Sequence, residues 1–201
     1  MRMDKPEISP FRHSQRRRWL RAGLALPLWA LTGARASDDA LAALRAGGVV
    51  VALRHALAPG TFDPPEFKLG DCRTQRNLND EGREQARRIG LWFKAQGLNP
   101  ARTRSSPWCR CMDTASTAFG AADAWPALGS PRGHGEQTNE DHLLQLRAGL
   151  AAVVPGRFEV WVTHAFVQQA LAGASTVAGD GLVLRLDARG AVQTLARLAV
   201  A

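Results

Sequence analysis

Val49-Val50-Val51-Ala52-Leu53 is an unbroken apolar run rich in β-branched residues, and Phe158 to Thr163 is a second strand of the same kind. Strands that are apolar at successive positions bury both faces, as happens in a parallel sheet covered by helices on each side. Each run leads straight into a histidine, as Arg54-His55 after the first and Thr163-His164 after the second. In a parallel sheet those ends lie along one edge, where open α/β folds place their ligand sites.

The intervening sequence supplies the helices. Asp38 to Ala46 reads as a short helix closed by Gly47-Gly48, and Ala58 to Asn77 is an irregular loop bearing Pro and Gly. Asn79 is an N-cap, Asp80 and Glu81 occupy the first turn, and Ala86, Ile89 and Phe93 line one face of a helix over 80–96. A short strand at 103–105 precedes a helix that Ser106 caps and Pro107 opens, running to Phe119. Ala124 to Gly135 is irregular, Thr138 to Val153 helical, and Ala165 to Leu171 helical; strands at 182–186 and 191–195 flank the turn Asp187-Ala188-Arg189-Gly190. This alternation predicts one domain, a three-layer α/β/α sandwich around a mostly parallel central sheet.

A net charge of +8 suggests a polyanionic partner, but its distribution argues otherwise. Residues 1–36 hold eight of the 26 Lys and Arg and only Asp4 and Glu7 among 18 acids, so the remainder has 18 basic residues against 16 acidic, a net of +2. No nucleic-acid partner is expected on that balance. The same segment has a basic stretch through Arg21, uncharged residues from Ala22 to Ala34, and the small-residue site Ala34-Arg35-Ala36. These are the parts of a cleavable leader, too short for a stable membrane span. Arg16-Arg17-Arg18-Trp19-Leu20-Arg21 resembles a twin-arginine signal, with Gln15 where Ser or Thr is usual. We expect an export signal over 1–36, a mature domain over 37–201, and a periplasmic or secreted location. An oxidising compartment would allow Cys72 to pair with Cys109 or Cys111, which are too near each other to pair readily. No further Cys or well-spaced His completes a metal set around Cys109-x-Cys111, so no metal and no cofactor are expected.

Arg110 falls one turn into a helix that starts near the edge where Arg54, His55 and His164 lie. Two arginines and two histidines suit phosphoryl transfer. Guanidinium groups bind phosphate oxygens in pairs and neutralise their charge, and one imidazole can attack phosphorus while the other donates a hydrogen bond.

Arg54-His55-Ala56 after a strand resembles the R-H-G signature of the histidine phosphatase (phosphoglycerate mutase-like) superfamily. Leu78 to Ala86 is similar to its L-[ST]-x-x-G-x-x-Q-A helix start, Ser106 to Ala115 to its S-x-x-x-R-x-x-x-T-A block, and Val162-Thr163-His164 to its late T-H motif. The four motifs occur in the family's order across about 48–186. The resemblance implies His55 as nucleophile, with Arg54, Arg110 and His164 as the phosphate pocket and no metal. Arg76, and Arg73 beside it, are candidates to guide substrate. Ala56 stands where the family has Gly, and would be strained if the backbone there requires positive φ.

The family usually takes its general acid from a mid-chain carboxylate. Glu136, Glu140 and Asp141 are the candidates, with Glu140 favoured because it opens a helix. Some members that cleave phosphoramidates work without one. The expected activity is metal-independent hydrolysis of a small phosphorylated substrate or a phosphorylated envelope component, rather than a mutase reaction. The alternative is a catalytically weak or inactive phosphate-binding module of the same fold.

Overall fold

The computed structural model describes residues 30–131 and 137–200. The elements are α1 (Ala30–Ala46), β1 (Val49–Arg54), a 3-10 turn (Cys72–Thr74), α2 (Asp80–Ala95), β2 (Arg102–Ser105), α3 (Cys109–Phe119), β3 (Asp123–Ala124), a second 3-10 turn (Pro126–Leu128), α4 (Glu140–Ala151), β4 (Phe158–Thr163), α5 (Ala165–Ala172), β5 (Gly181–Leu186) and β6 (Val192–Leu198). They build one six-stranded sheet in the order β3-β2-β4-β1-β5-β6. β1 to β4 run parallel, and β5 and β6 join antiparallel.

The apolar runs cover two cores at once. Val49, Val51 and Leu53 of β1, with Phe158, Val160 and Val162 of β4, face Ala40, Leu44, Ile89, Phe93, Cys111 and Ala115 from α1, α2 and α3. Val50, Ala52 and Trp161 face the other way, onto Leu143, Leu146 and Leu150 of α4 and Val167 and Leu171 of α5. The expected three-layer α/β/α sandwich is therefore present, with three helices on one face and two on the other. No described helix is long and apolar enough to cross a membrane.

α2 follows the sequence closely: Asn79 Oδ1 accepts from the Gly82 N–H at 2.8 Å, and Ala86, Ile89 and Phe93 are buried. Gly47 and Gly48 both take positive φ where the chain turns from α1 into β1, and a Cβ on Gly47 would collide with the backbone of Gly156 and Arg157.

β6 runs on to Leu198, past the expected end at 195, and four other features differ from expectation. α1 begins at Ala30 and so passes through the expected leader boundary, while residues 1–29, Glu136 and His134 lie outside the described residues. α3 is capped by Trp108 rather than Ser106, because the Ser106 hydroxyl is engaged by His164. α4 starts at Glu140, since Asn139 Oδ1 accepts from the His142 N–H and caps it there. β3, a two-residue edge strand beside β2, runs into the start of the stretch read as irregular, Ala124 to Gly135.

Candidate active site

Strand register brings the motif residues together. Arg54 pairs with Thr163 across β1 and β4, and Ser105 pairs with Val162 across β2 and β4. The residues that follow therefore leave the sheet side by side. The His55 N–H donates to the Thr163 carbonyl at 3.0 Å and the Ser106 N–H to the Val162 carbonyl at 2.9 Å. The imidazoles of His55 and His164 meet edge to face with centroids 5.5 Å apart.

His55 Nδ1 lies 2.8 Å from the Ala56 carbonyl oxygen. A carbonyl only accepts, so Nδ1 carries the proton and Nε2 keeps a lone pair. Burial, then the positive charge of Arg110, lowers the His55 pKa to about 3, so the ring is neutral at ordinary pH. Burial, followed by Arg110, likewise holds His164 well below the usual histidine range. His164 Nε2 is 2.9 Å from Ser106 Oγ, and its Nδ1 is 3.5 Å from Arg110 Nη2. A guanidinium only donates, so Nδ1 is the acceptor and Nε2–H donates to Ser106. Phe166 stacks on this ring and Trp108 meets its edge, which fixes the plane.

The arginines share a pattern. Arg54 Nη1 donates to the Thr176 carbonyl at 2.8 Å, and Arg110 Nη1 donates to both oxygens of Asp63, at 2.8 and 3.2 Å. In each, Nε is buried and has no hydrogen-bond partner among the described residues. Arg110 is only 2% exposed, and a buried cation without a counter-ion would be strongly destabilising. Asp63 is that counter-ion. Sequence reasoning missed it; the available signal was a lone carboxylate, Phe62-Asp63-Pro64, in the irregular loop after the first histidine.

The remaining motif residues lock this arrangement. Thr114 Oγ1 accepts from the Ala56 N–H at 3.0 Å while donating to the Arg110 carbonyl at 2.7 Å, joining β1's exit to α3. A Cβ on Gly82 would collide with the Leu57 carbonyl, so α2 approaches the loop only because that position has no side chain. Gln85 bridges the Leu57 N–H and the Ala178 carbonyl, both at 2.9 Å. The strain anticipated at Ala56 is absent. No described non-glycine residue has positive φ, and the Ala56 methyl packs fully buried with Ala58, Leu78 and Ala86.

The other sequence candidates are placed as follows. Arg76 Nη1 donates to the Ala58 carbonyl, its backbone N–H to Asp63 Oδ1 at 3.0 Å, and its charge acts on both imidazoles. Arg73 is exposed and paired with Asp71. Glu140 and Asp141 are exposed in the first turn of α4, with no hydrogen bond or ion pair to the pocket among the described residues. Cys72 is bonded to Cys109, with Cα atoms 5.7 Å apart, which rules out the metal alternative at Cys109 and ties the loop's 3-10 turn to the first residue of α3. Cys111 is free and buried beside His164, its thiol pushed up to about 12 by desolvation.

The sequence profile of the histidine phosphatase superfamily (branch 1) matches residues 52–129. No curated protein matches the chain. Similar solved structures include the protein histidine phosphatase SixA complexed with tungstate, at 17% identity over 75% of this chain and 96% of that one, TM-score 0.53. Another is the phosphoglycerate mutase from Thermus thermophilus, at 19% identity over 76% and 99%, TM-score 0.51. The profile match thus takes in Arg54, His55 and Arg110, and the fold around them is similar to that of the phosphoglycerate mutase.

Proposed function

We propose that this chain is a metal-independent phosphatase that hydrolyses phosphomonoesters through a phosphohistidine on His55 and acts outside the cytoplasm. The match of residues 52–129 to the superfamily profile supports a phosphatase or mutase activity. The observation that carries the finer reading is the neutral His55, with Nδ1–H on the Ala56 carbonyl, beside two arginines whose Nε–H groups are buried and have no hydrogen-bond partner among the described residues.

In the first step His55 Nε2 attacks phosphorus, the P–N bond forms, and the P–O bond to the leaving group breaks with its electron pair going to that oxygen. Arg54 and Arg110 each offer Nε–H to the equatorial oxygens, and the Ala56 carbonyl takes up the charge that develops on Nδ1–H. Water then attacks phosphorus, the P–N bond breaks, and its electron pair returns to Nε2; one proton of the water stays on the released phosphate and the other passes to solvent, which protonates the leaving-group oxygen. His164 holds Arg110 and Ser106 in place. A hydrolase is favoured over a mutase, because a mutase needs a bisphosphate primer that an exported protein would rarely meet. The Cys72–Cys109 disulfide supports an oxidising location, and with it the leader over 1–36.

A second reading rests on one observation. Among the described residues the carboxylate that reaches the pocket, Asp63, is already fully engaged, an arrangement that suits substrates whose leaving group needs no acid. A phosphoramidate is such a substrate, and SixA, a fold neighbour, is described as a protein histidine phosphatase.

The test is phosphate release by the purified chain from p-nitrophenyl phosphate and from phosphoramidate, with EDTA present and His55→Ala beside it. Turnover that survives chelation and disappears in His55→Ala supports the reading. Turnover that needs a metal, or that persists in the variant, refutes it.

A further inference from the structure

Asp63 takes no part in the bond-making steps, yet it is the most heavily bonded carboxylate near them. Its oxygens accept from Arg110 Nη1 at 2.8 and 3.2 Å, from the Arg76 backbone N–H at 3.0 Å, and from the Trp108 indole N–H at 3.3 Å. Two segments of chain thus converge on one anion: the loop after β1, which holds both Asp63 and Arg76, and the start of α3.

A guanidinium has two edges that can take an oxyanion in a fork: the end, Nη1 with Nη2, and the side, Nε with Nη2. Asp63 engages Nη1 alone. Arg110 Nε stays buried without a partner among the described residues, and Nη2 reaches toward His164 on the catalytic side. Arg54 is treated alike, with Nη1 fastened to the Thr176 carbonyl and Nε buried without a partner among the described residues.

We propose that Asp63 is a positioning residue, which grips Arg110 by Nη1 so that the Nε–Nη2 edge is presented to the phosphoryl group beside His55. Asp63 also balances charge. It is the counter-ion of the buried Arg110 guanidinium, 2.8 Å from Nη1. Two other roles for the same carboxylate fit the geometry less well. As a proton donor it would have to surrender bonds from three donor groups, and as a self-inhibitory plug it would have to cover the Nε–Nη2 edge, with which it makes no hydrogen bond.

The inference rests on the phosphatase reading, and one set of measurements separates the two. In the full chain, Asp63→Asn, Asp63→Ala and Asp63→Glu are compared with the wild type for affinity toward inorganic phosphate by calorimetry. The same proteins are assayed for kcat and KM on p-nitrophenyl phosphate and on phenyl phosphate, a poorer leaving group. Thermal melts report the folded fraction. A misdirected guanidinium predicts that Asp63→Asn, nearly isosteric, loses about 10- to 100-fold in phosphate affinity and in kcat/KM, by the same factor for both esters. Asp63→Glu recovers part of it.

Loss confined to phenyl phosphate makes Asp63 a proton donor and overturns the proposal. Tighter phosphate binding by Asp63→Ala makes it a plug and overturns it too, as does unchanged phosphate affinity in folded Asp63→Asn. A wild type that binds phosphate without turnover refutes the phosphatase reading alone, and the phosphate affinities still decide the positioning role. A wild type without affinity for phosphate overturns both.

Discussion

Replacing Cys72 and Cys109 together by alanine removes the covalent tie between the loop and α3, and the size of the effect follows from the chain. The bond closes a loop with a sequence separation of 37 residues. Loop-closure entropy for that length is worth about 4 kcal/mol at 25 °C. Local hydrogen bonds reinforce the same junction without replacing it: Gln75 Oε1 accepts from the Cys109 N–H at 3.0 Å and Gln75 Nε2 donates to the Lys68 carbonyl at 3.1 Å. In a domain of this size each kcal/mol shifts Tm by about 2–4 °C, so a fall of roughly 8–16 °C is expected. Urea unfolding followed by tryptophan fluorescence measures it, with wild type in reductant as a second route to the same state. The two should agree, because Cys111 is buried and free in both. A loss below about 1 kcal/mol by either route would refute the reasoning, showing that the hydrogen bonds alone hold the loop.

Stability should depend on pH through the buried histidines. With His55 lowered to about 3 against 6.5 unfolded, the unfolded chain binds the extra proton between those values, so stability falls as pH drops from 6.5 toward 3 and is flat above 6.5. The slope is up to about 1.4 kcal/mol per pH unit for each such histidine, and acid unfolding of His55→Gln should be correspondingly shallower. An equal slope in that variant would show that His55 does not titrate as its burial implies. Ala56→Gly restores the family's usual residue yet should destabilise by about 1 kcal/mol, since it removes a buried methyl from an unstrained backbone. A gain in stability on thermal melting would mean the position is strained after all. Glu140→Gln should leave kcat/KM within about two-fold on both p-nitrophenyl and phenyl phosphate, as its carboxylate stands in water away from the pocket. A selective loss on phenyl phosphate would restore it as the proton donor.

The sequence by itself determined the layers and the edge where the chemistry lies. Apolar residues at every position of β1 up to Leu53 and at Phe158, Val160, Trp161 and Val162 of β4 admit burial on both faces and little else, and a parallel sheet then aligns Arg54-His55 with Thr163-His164. The spacing of Asn79, Ala86, Ile89 and Phe93 is local information, and it specified α2 for the same reason. Tertiary structure alone decided which distant groups became partners. Ser106 satisfies the rules for a helix cap, but the register of β2 beside β4 puts its hydroxyl against His164, a longer-range bond that overrides the local one. Cys109 rather than Cys111 pairs with Cys72, because positions two apart on α3 point to different sides: one toward the loop, the other into the core beside His164. Asp63 has no periodic or motif signature at all. Its role exists only because a 3-10 turn, a disulfide and a buried guanidinium fold a long loop back over α3, and a buried charge must find its counter-ion wherever the chain can bring one.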